Sequence, residues 1–240
     1  MTRVWEVLRS ALLWAVTFLH FFTAVPVLIF LAVFMDPRKH DWLQRALCRR
    51  IAFFSGARVA ARQAPGFDPQ RTSFFMVNHV NLFDPFLMYC VIPQYVRGWE
   101  LESHFKIPVY GWLMHRFGNV PVPDVRRPAD LKRMWRMTRE ALDGGTSLII
   151  FPEGKRTRDG HLGEFEDGGF RFALQLGVPI VPVTLVGSFE HFRTGNWMLR
   201  PHTVTVVLHD TIDTAGLTKE DVPALRDKVR EIIQAPLKAR

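Results

Sequence analysis

Residues 11–35 (ALLWAVTFLHFFTAVPVLIFLAVFM) run for 25 positions without a formal charge, and this stretch constrains the fold more than any other. About 20 such residues span the apolar core of a bilayer as a helix. The run exceeds the hydrophobic part of a secretory signal, and no small-x-small cleavage site follows it, so it is expected to remain in the mature chain as a membrane segment. Pro26 lies inside it, which predicts either a kinked spanning helix or a re-entrant hairpin within one leaflet.

The net charge is +8 over 240 residues, and more than half of the excess follows the apolar run directly. Between residues 36 and 62, Arg38, Lys39, Arg45, Arg49, Arg50, Arg58 and Arg62 face only Asp36 and Asp41. Leu43, Leu47, Ile51 and Phe54 recur there at helical spacing, so residues 42–62 are expected as a basic amphipathic helix on anionic lipid. Those seven cations outweigh Arg3 and Arg9 before the run, which places the bulk of the protein on the cytoplasmic face of a membrane. Residues 1–62 are therefore expected as the membrane-anchoring part and residues 63–240 as the catalytic domain. Cys48 and Cys90 are too few and too far apart for a disulfide framework or a zinc centre, and no metal site is expected. The charge has no aromatic-basic reading motif beside it, so nucleic acid is not expected as a partner.

Short apolar runs at 72–77, 95–101, 147–151, 180–186 and 203–208 predict strands. Helices are predicted over 128–142, over 169–176, and from a Thr218 cap to about residue 234. Strands separated by helices give an α/β fold with a mixed, largely parallel sheet flanked by helices, behind an N-terminal membrane-associated segment. Sites in such sheets lie at strand ends. The first predicted strand runs into Asn78-His79-Val80-Asn81-Leu82-Phe83-Asp84-Pro85, where Asp84 and Pro85 suit a helix start. The same aspartate, five residues past His79, is able to hold one ring nitrogen and leave the other as a base. Nine His and 13 Asp in the chain give about half an H-x-x-x-x-D by chance, so the strand-turn-helix setting carries the meaning. A second loop, FPEGKRTRDG at 151–160, places Glu153, Gly154, Lys155, Arg156 and Arg158 at a strand end, a composition suited to gripping phosphate.

In order, these segments resemble the glycerolipid acyltransferase family, most nearly the bacterial-type 1-acylglycerol-3-phosphate acyltransferases. NHVNLFD carries the family's N-H-x-x-x-x-D block at Asn78, His79 and Asp84. FKIPVYGWLMHRFGNVPV is similar to the second block through Lys106, Pro108, Gly111 and Gly118. FPEGKRTRDG resembles the third through Phe151, Pro152, Glu153, Gly154 and Arg156, and VPIVPV the fourth through Val178 to Pro182. The resemblance covers roughly residues 70–190 and implies a glycerol-3-phosphate acyltransferase-like sheet. It also implies transfer of a fatty acyl group to a lysophospholipid hydroxyl, most nearly 1-acylglycerol-3-phosphate giving phosphatidic acid. The donor would be acyl-CoA or acyl carrier protein as co-substrate, with no resident cofactor.

Under that resemblance His79 is the general base and Asp84 its partner, backbone N–H groups near the Asp84 helix or nearby side chains stabilise the carbonyl oxygen, Arg156 holds the acceptor phosphate, and Glu153 positions its glycerol or neighbouring cations. Asp124 stands where the family commonly has arginine, with Arg126 and Arg127 just beyond as relocated cations, and Lys155 replaces the usual threonine. Glu166 and Asp167 stand where many relatives carry lysine. Glycerol-3-phosphate or another lyso-lipid acceptor, thioester hydrolysis, and a noncatalytic lipid-binding role remain open at this level.

Overall fold

The computed structural model describes residues 3–125 and 127–239. Its centre is a seven-stranded sheet among the described residues, ordered β1-β7-β6-β2-β5-β3-β4. The strands are β1 (Ala57–Gln63), β2 (Phe74–Val77), β3 (Val96–Leu101), β4 (Val120–Val122), β5 (Ser147–Ile150), β6 (Ile180–Val186) and β7 (His202–Leu208). All neighbouring pairs are parallel except β6 and β7. The helices are α1 (Arg3–Phe34), α2 (Asp41–Phe54), α3 (Asp84–Val91), α4 (Tyr110–Phe117), α5 (Pro128–Asp143), α6 (Gly168–Leu176), α7 (Ser188–His191) and α8 (Val222–Lys238).

The strand period of two divides β2 between two cores. Phe75 and Val77 pack with Leu87 and Met88 of α3 and with Leu28, Leu47 and Ile51 of the N-terminal helices. Phe74 and Met76 pack on the other face with Phe170 and Ala173 of α6 and Leu225 and Val229 of α8. Burial of each such large side chain contributes about 1.5–3 kcal/mol, so both layers are needed to hold the central strands.

The N-terminal helices are part of this body. Ser10 Oγ donates to Leu199 O at 3.1 Å and Trp14 Nε1 to Trp197 O at 2.6 Å. At the far end, Arg116 of α4 donates to Ala32 O at 2.5 Å and Met35 O at 2.9 Å, satisfying carbonyls that a helix end leaves without partners. Between these ties α1 leaves Leu12, Phe18, Phe22, Phe30 and Phe34 exposed. Pro26 lies within the helix and does not divide it into a hairpin.

The basic helix expected over 42–62 is shorter. α2 stops at Phe54, and Gly56, at φ +90°, turns the chain into β1, which pairs with β7. A side chain at Gly56 would meet Pro201 Cα at 3.2 Å. The boundary expected at residue 62 thus falls inside a strand. Arg45, expected on the lipid-facing surface, instead reaches Ile92 O and Gln94 O at the end of α3, at 2.5 and 2.6 Å, and pairs with Asp41. Arg49 and Arg50 remain exposed.

Candidate active site

Strands β6, β2 and β5 are adjacent, so the loops leaving their C-terminal ends rise side by side. They supply the turn 78–83, the loop 151–163, and Gly187 with Ser188. Asn78 continues β2 by its side chain: Leu185 N–H donates to Asn78 Oδ1 at 2.7 Å, and Asn78 Nδ2 donates to Leu185 O at 3.3 Å.

His79 Nδ1 lies 2.9 Å from Asp84 Oδ2. The Asp84 carboxylate is wholly buried and surrounded by donors. Val80 N–H and Asn81 N–H reach Oδ2 at 2.6 and 2.8 Å, and Ser188 Oγ–H reaches Oδ1 at 2.9 Å. Asp84 is the first residue of α3 and does not cap it; its carboxylate turns back onto the loop that carries His79. With Asp84 surrounded by donors, Nδ1 of His79 is the nitrogen turned to the carboxylate, and Nε2 is the ring's other nitrogen. The ring lies flat on Phe151, centroids 3.9 Å apart and planes 20° apart.

The main chain of His79 is gripped from β5. Its N–H donates to Glu153 Oε1 at 2.6 Å, and its carbonyl accepts from Thr157 N–H at 2.9 Å. The other Glu153 oxygen accepts from Gly163 N–H at 2.7 Å. Both oxygens of Glu153 therefore accept from backbone, which makes this buried acid a brace between two loops. Burial pushes its carboxyl above the ordinary range, and the two N–H donors oppose that rise. The expected oxyanion donors are also largely engaged: Val80 and Asn81 N–H bind Asp84, Phe83 N–H binds Asn81 Oδ1, and Asp84 N–H binds Asn81 O.

Of these residues His79, Phe83, Phe151, Glu153, Thr157 and Gly163 line a cleft of about 2740 Å³, with Asp84 buried behind. One arm is apolar, lined by Phe21, Val25 and Leu28 of α1 and Leu47, Cys48 and Ile51 of α2. The other holds Lys132, Lys155, Arg156 and Arg158, all exposed and without an ion-pair partner among the described residues. Lys132 comes from α5. Gly154 adopts φ +66°, and a Cβ there would stand 2.9 Å from Glu166 Oε1. Arg127 is exposed ahead of α5 and is not part of the cleft lining. Arg126 lies outside the described residues. Asp124 does line the cleft and accepts from Ser103 Oγ at 3.0 Å, while Asp167 ties α6 to α8 through Arg226 at 2.8 Å. His104, which has no motif in the sequence, pairs with Glu100 on the cleft wall.

The acyltransferase family model matches residues 58–186, more than half of the chain. The 1-acyl-sn-glycerol-3-phosphate acyltransferase BAT2 of Brassica napus chloroplasts is 35% identical over 142 residues, 58% of this chain and 40% of that protein. The human 1-acyl-sn-glycerol-3-phosphate acyltransferase beta is 31% identical over 180 residues, 75% of this chain and 64% of that one. The chain thus spans less than two thirds of the length of these relatives. The crystal structure of the 1-acyl-sn-glycerophosphate (LPA) acyltransferase PlsC from Thermotoga maritima superimposes with a TM-score of 0.78, covering 100% of this chain and 98% of that one, at 22% identity. That likeness extends to the whole fold, the N-terminal helices included.

Proposed function

Because the chain belongs to the acyltransferase family, we propose that it transfers a fatty acyl group from a thioester donor, acyl-CoA or acyl carrier protein, to the free hydroxyl of 1-acylglycerol-3-phosphate. The observation that carries this reading is the His79–Asp84 pair at 2.9 Å, with His79 lining a cleft that also has apolar side chains of α1 and α2 and the cations Lys155, Arg156 and Arg158 in its wall.

The chemistry follows from what each group can do. An alcohol is a weak nucleophile near neutral pH, so Nε2 of His79 accepts its proton as the oxygen attacks the thioester carbonyl carbon. Asp84 holds the ring in the required tautomer and offsets the imidazolium charge. The tetrahedral intermediate then expels the thiolate, which takes the proton back from His79. One C–O bond forms, one C–S bond breaks, and no acyl-enzyme intervenes. Because the N–H groups of the 78–84 turn are mostly engaged, stabilisation of the carbonyl oxygen falls to other donors of the cleft. Lys155, Arg156, Arg158 and Lys132 provide charge for the acceptor phosphate, and the arm between α1 and α2 provides an apolar path for an acyl chain.

Membrane association belongs to the same reading. Helix α1 is tied to the catalytic body near Ser10 and again near Ala32, about 33 Å apart at 1.5 Å per residue. A helix held along one body at both ends is suited to lying in the plane of the membrane, its exposed apolar side in lipid, rather than crossing it. The exposed Arg49 and Arg50 beside it favour an anionic, cytoplasmic leaflet. Incubating the protein in mixed micelles with a thioester donor and 1-acylglycerol-3-phosphate, and separating products by mass spectrometry, tests the reading. Phosphatidic acid is expected to exceed free fatty acid severalfold; free fatty acid alone would make it a thioester hydrolase.

A further inference from the structure

Asp84 is held from behind by a residue that lies outside the four sequence blocks. Ser188 follows Gly187, whose φ of +93° turns the chain sharply out of β6 and brings the Ser188 hydroxyl, 104 positions away in sequence, to 2.9 Å from Asp84 Oδ1. A side chain at Gly187 would stand 2.4 Å from Thr203 O, so the turn is closed to larger residues. Ser188 is wholly buried, as are Asn81 and Asp84.

The direction of the Ser188 proton is set by its neighbours. Asn81 Nδ2 donates to Ser188 Oγ, Ser188 O and Phe192 O, each at 2.9 Å, while Asn81 Oδ1 accepts from Phe83 N–H at 2.8 Å. The amide nitrogen cannot be exchanged with its oxygen without facing two carbonyls with an acceptor. Asn81 Nδ2 can only donate, so the single proton of Ser188 Oγ is left for Asp84. The two Asp84 oxygens are thus divided: Oδ2 serves His79 and the turn, and Oδ1 is reserved for Ser188.

We infer that Ser188 is a positioning residue for the reaction. Its hydroxyl, oriented by Asn81, holds the Asp84 carboxylate in the plane that meets His79 Nδ1, and it touches neither acceptor nor donor. A hydrogen bond to a buried carboxylate is among the stronger neutral-donor contacts, and without it Oδ1 is left buried with no donor. Asp84 then rotates or shares its remaining donors differently, and the imidazole is oriented less well at the moment it must take a proton.

The inference rests on the acyltransferase reading above, and the test separates the two. Acyl transfer to 1-acylglycerol-3-phosphate in mixed micelles is measured for wild type, Ser188→Ala, Ser188→Thr and His79→Ala, each with its thermal unfolding midpoint. Ser188→Ala is expected to lower kcat about ten- to a hundredfold while the KM for donor and acceptor stays within about twofold. Ser188→Thr, which keeps the hydroxyl, restores most of kcat. If His79→Ala is inactive and Ser188→Ala turns over at the wild-type rate, the positioning role is wrong while the acyltransferase reading stands. A loss in Ser188→Ala that appears chiefly in KM also overturns it, as does equal loss in Ser188→Thr with an unchanged midpoint. Should either Ser188 variant unfold early, Asn81→Asp supplies the second arm: it removes the donor that orients Ser188 and is expected to reproduce the kcat loss, and wild-type kcat there overturns the inference. Full turnover in His79→Ala would instead remove the reading on which the inference stands.

Discussion

Glu153 is buried at a net electrostatic cost, even though both its oxygens accept backbone hydrogen bonds. The sign of its effect on stability follows. Below its ordinary value of 4.5 the carboxyl is protonated in folded and unfolded chains alike. Between 4.5 and the raised value in the fold, the unfolded chain has released its proton and the folded chain has kept it, so stability falls as pH rises through that window. Glu153→Gln is predicted to remove this slope, so that urea unfolding midpoints from about pH 4 to 7 decline less in the variant than in wild type; identical slopes would contradict it. At this scale the sequence was readable where a motif carried it. His79 and Asp84 stand in one short turn, and the spacing that suggested their contact is the contact observed. The stacking of Phe151 on His79 and the bond from Ser188 join residues 72 and 104 positions apart, and nothing local signals either. Glu153 was noticed as a positioned acid at a strand end, whereas its partners, the N–H groups of His79 and Gly163, lie 74 and 10 positions away and no local pattern signals them.

Among the elements, those with clear periodicity were legible and the sheet edges were not. The five central strands and the helices over 128–142 and 169–176 lie where the apolar patterns put them. β1 was read as the tail of the basic helix because the pattern of Leu43, Leu47, Ile51 and Phe54 was extended to residue 62, and an edge strand has few buried side chains to show alternation. Gly56 was the available signal, since a glycine after an apolar helical run commonly marks its end. β4 has three residues, one of them proline, and leaves almost no pattern. The apolar character of α1 was evident at once, whereas its attachment along the catalytic body depends on Ser10, Trp14 and Arg116 finding partners far away in the chain. If the outer side of α1 rests in lipid, each exposed phenylalanine contributes about 1.5 kcal/mol or more to binding, roughly tenfold in partitioning. Phe22→Asp with Phe30→Asp is therefore predicted to lower association with phosphatidylglycerol vesicles at least tenfold, as read by flotation, with the unfolding midpoint in detergent unchanged. Retained flotation would place the lipid contact elsewhere.

For the molecule as a whole, one cleft is lined by apolar side chains of the N-terminal helices, by Lys155, Arg156 and Arg158 of the loop after β5, and by His79. This arrangement explains why α1 and α2 belong to the catalytic body: without them the apolar arm has no wall. Cys48 lines that arm and is buried, so Cys48→Trp is predicted to fill it and shift preference toward shorter acyl chains, lowering kcat/KM for a long-chain donor more than for a short one. An equal loss for both donors would mean that the chain lies elsewhere. The central claim is that one imidazole, fixed by a buried carboxylate, removes the proton from the acceptor hydroxyl. It is tested most directly by the single-turnover rate of His79→Ala in mixed micelles with a thioester donor and 1-acylglycerol-3-phosphate. The predicted result is a loss of about a hundredfold to ten-thousandfold, with vesicle binding and the unfolding midpoint intact; a rate within about tenfold of wild type would contradict it.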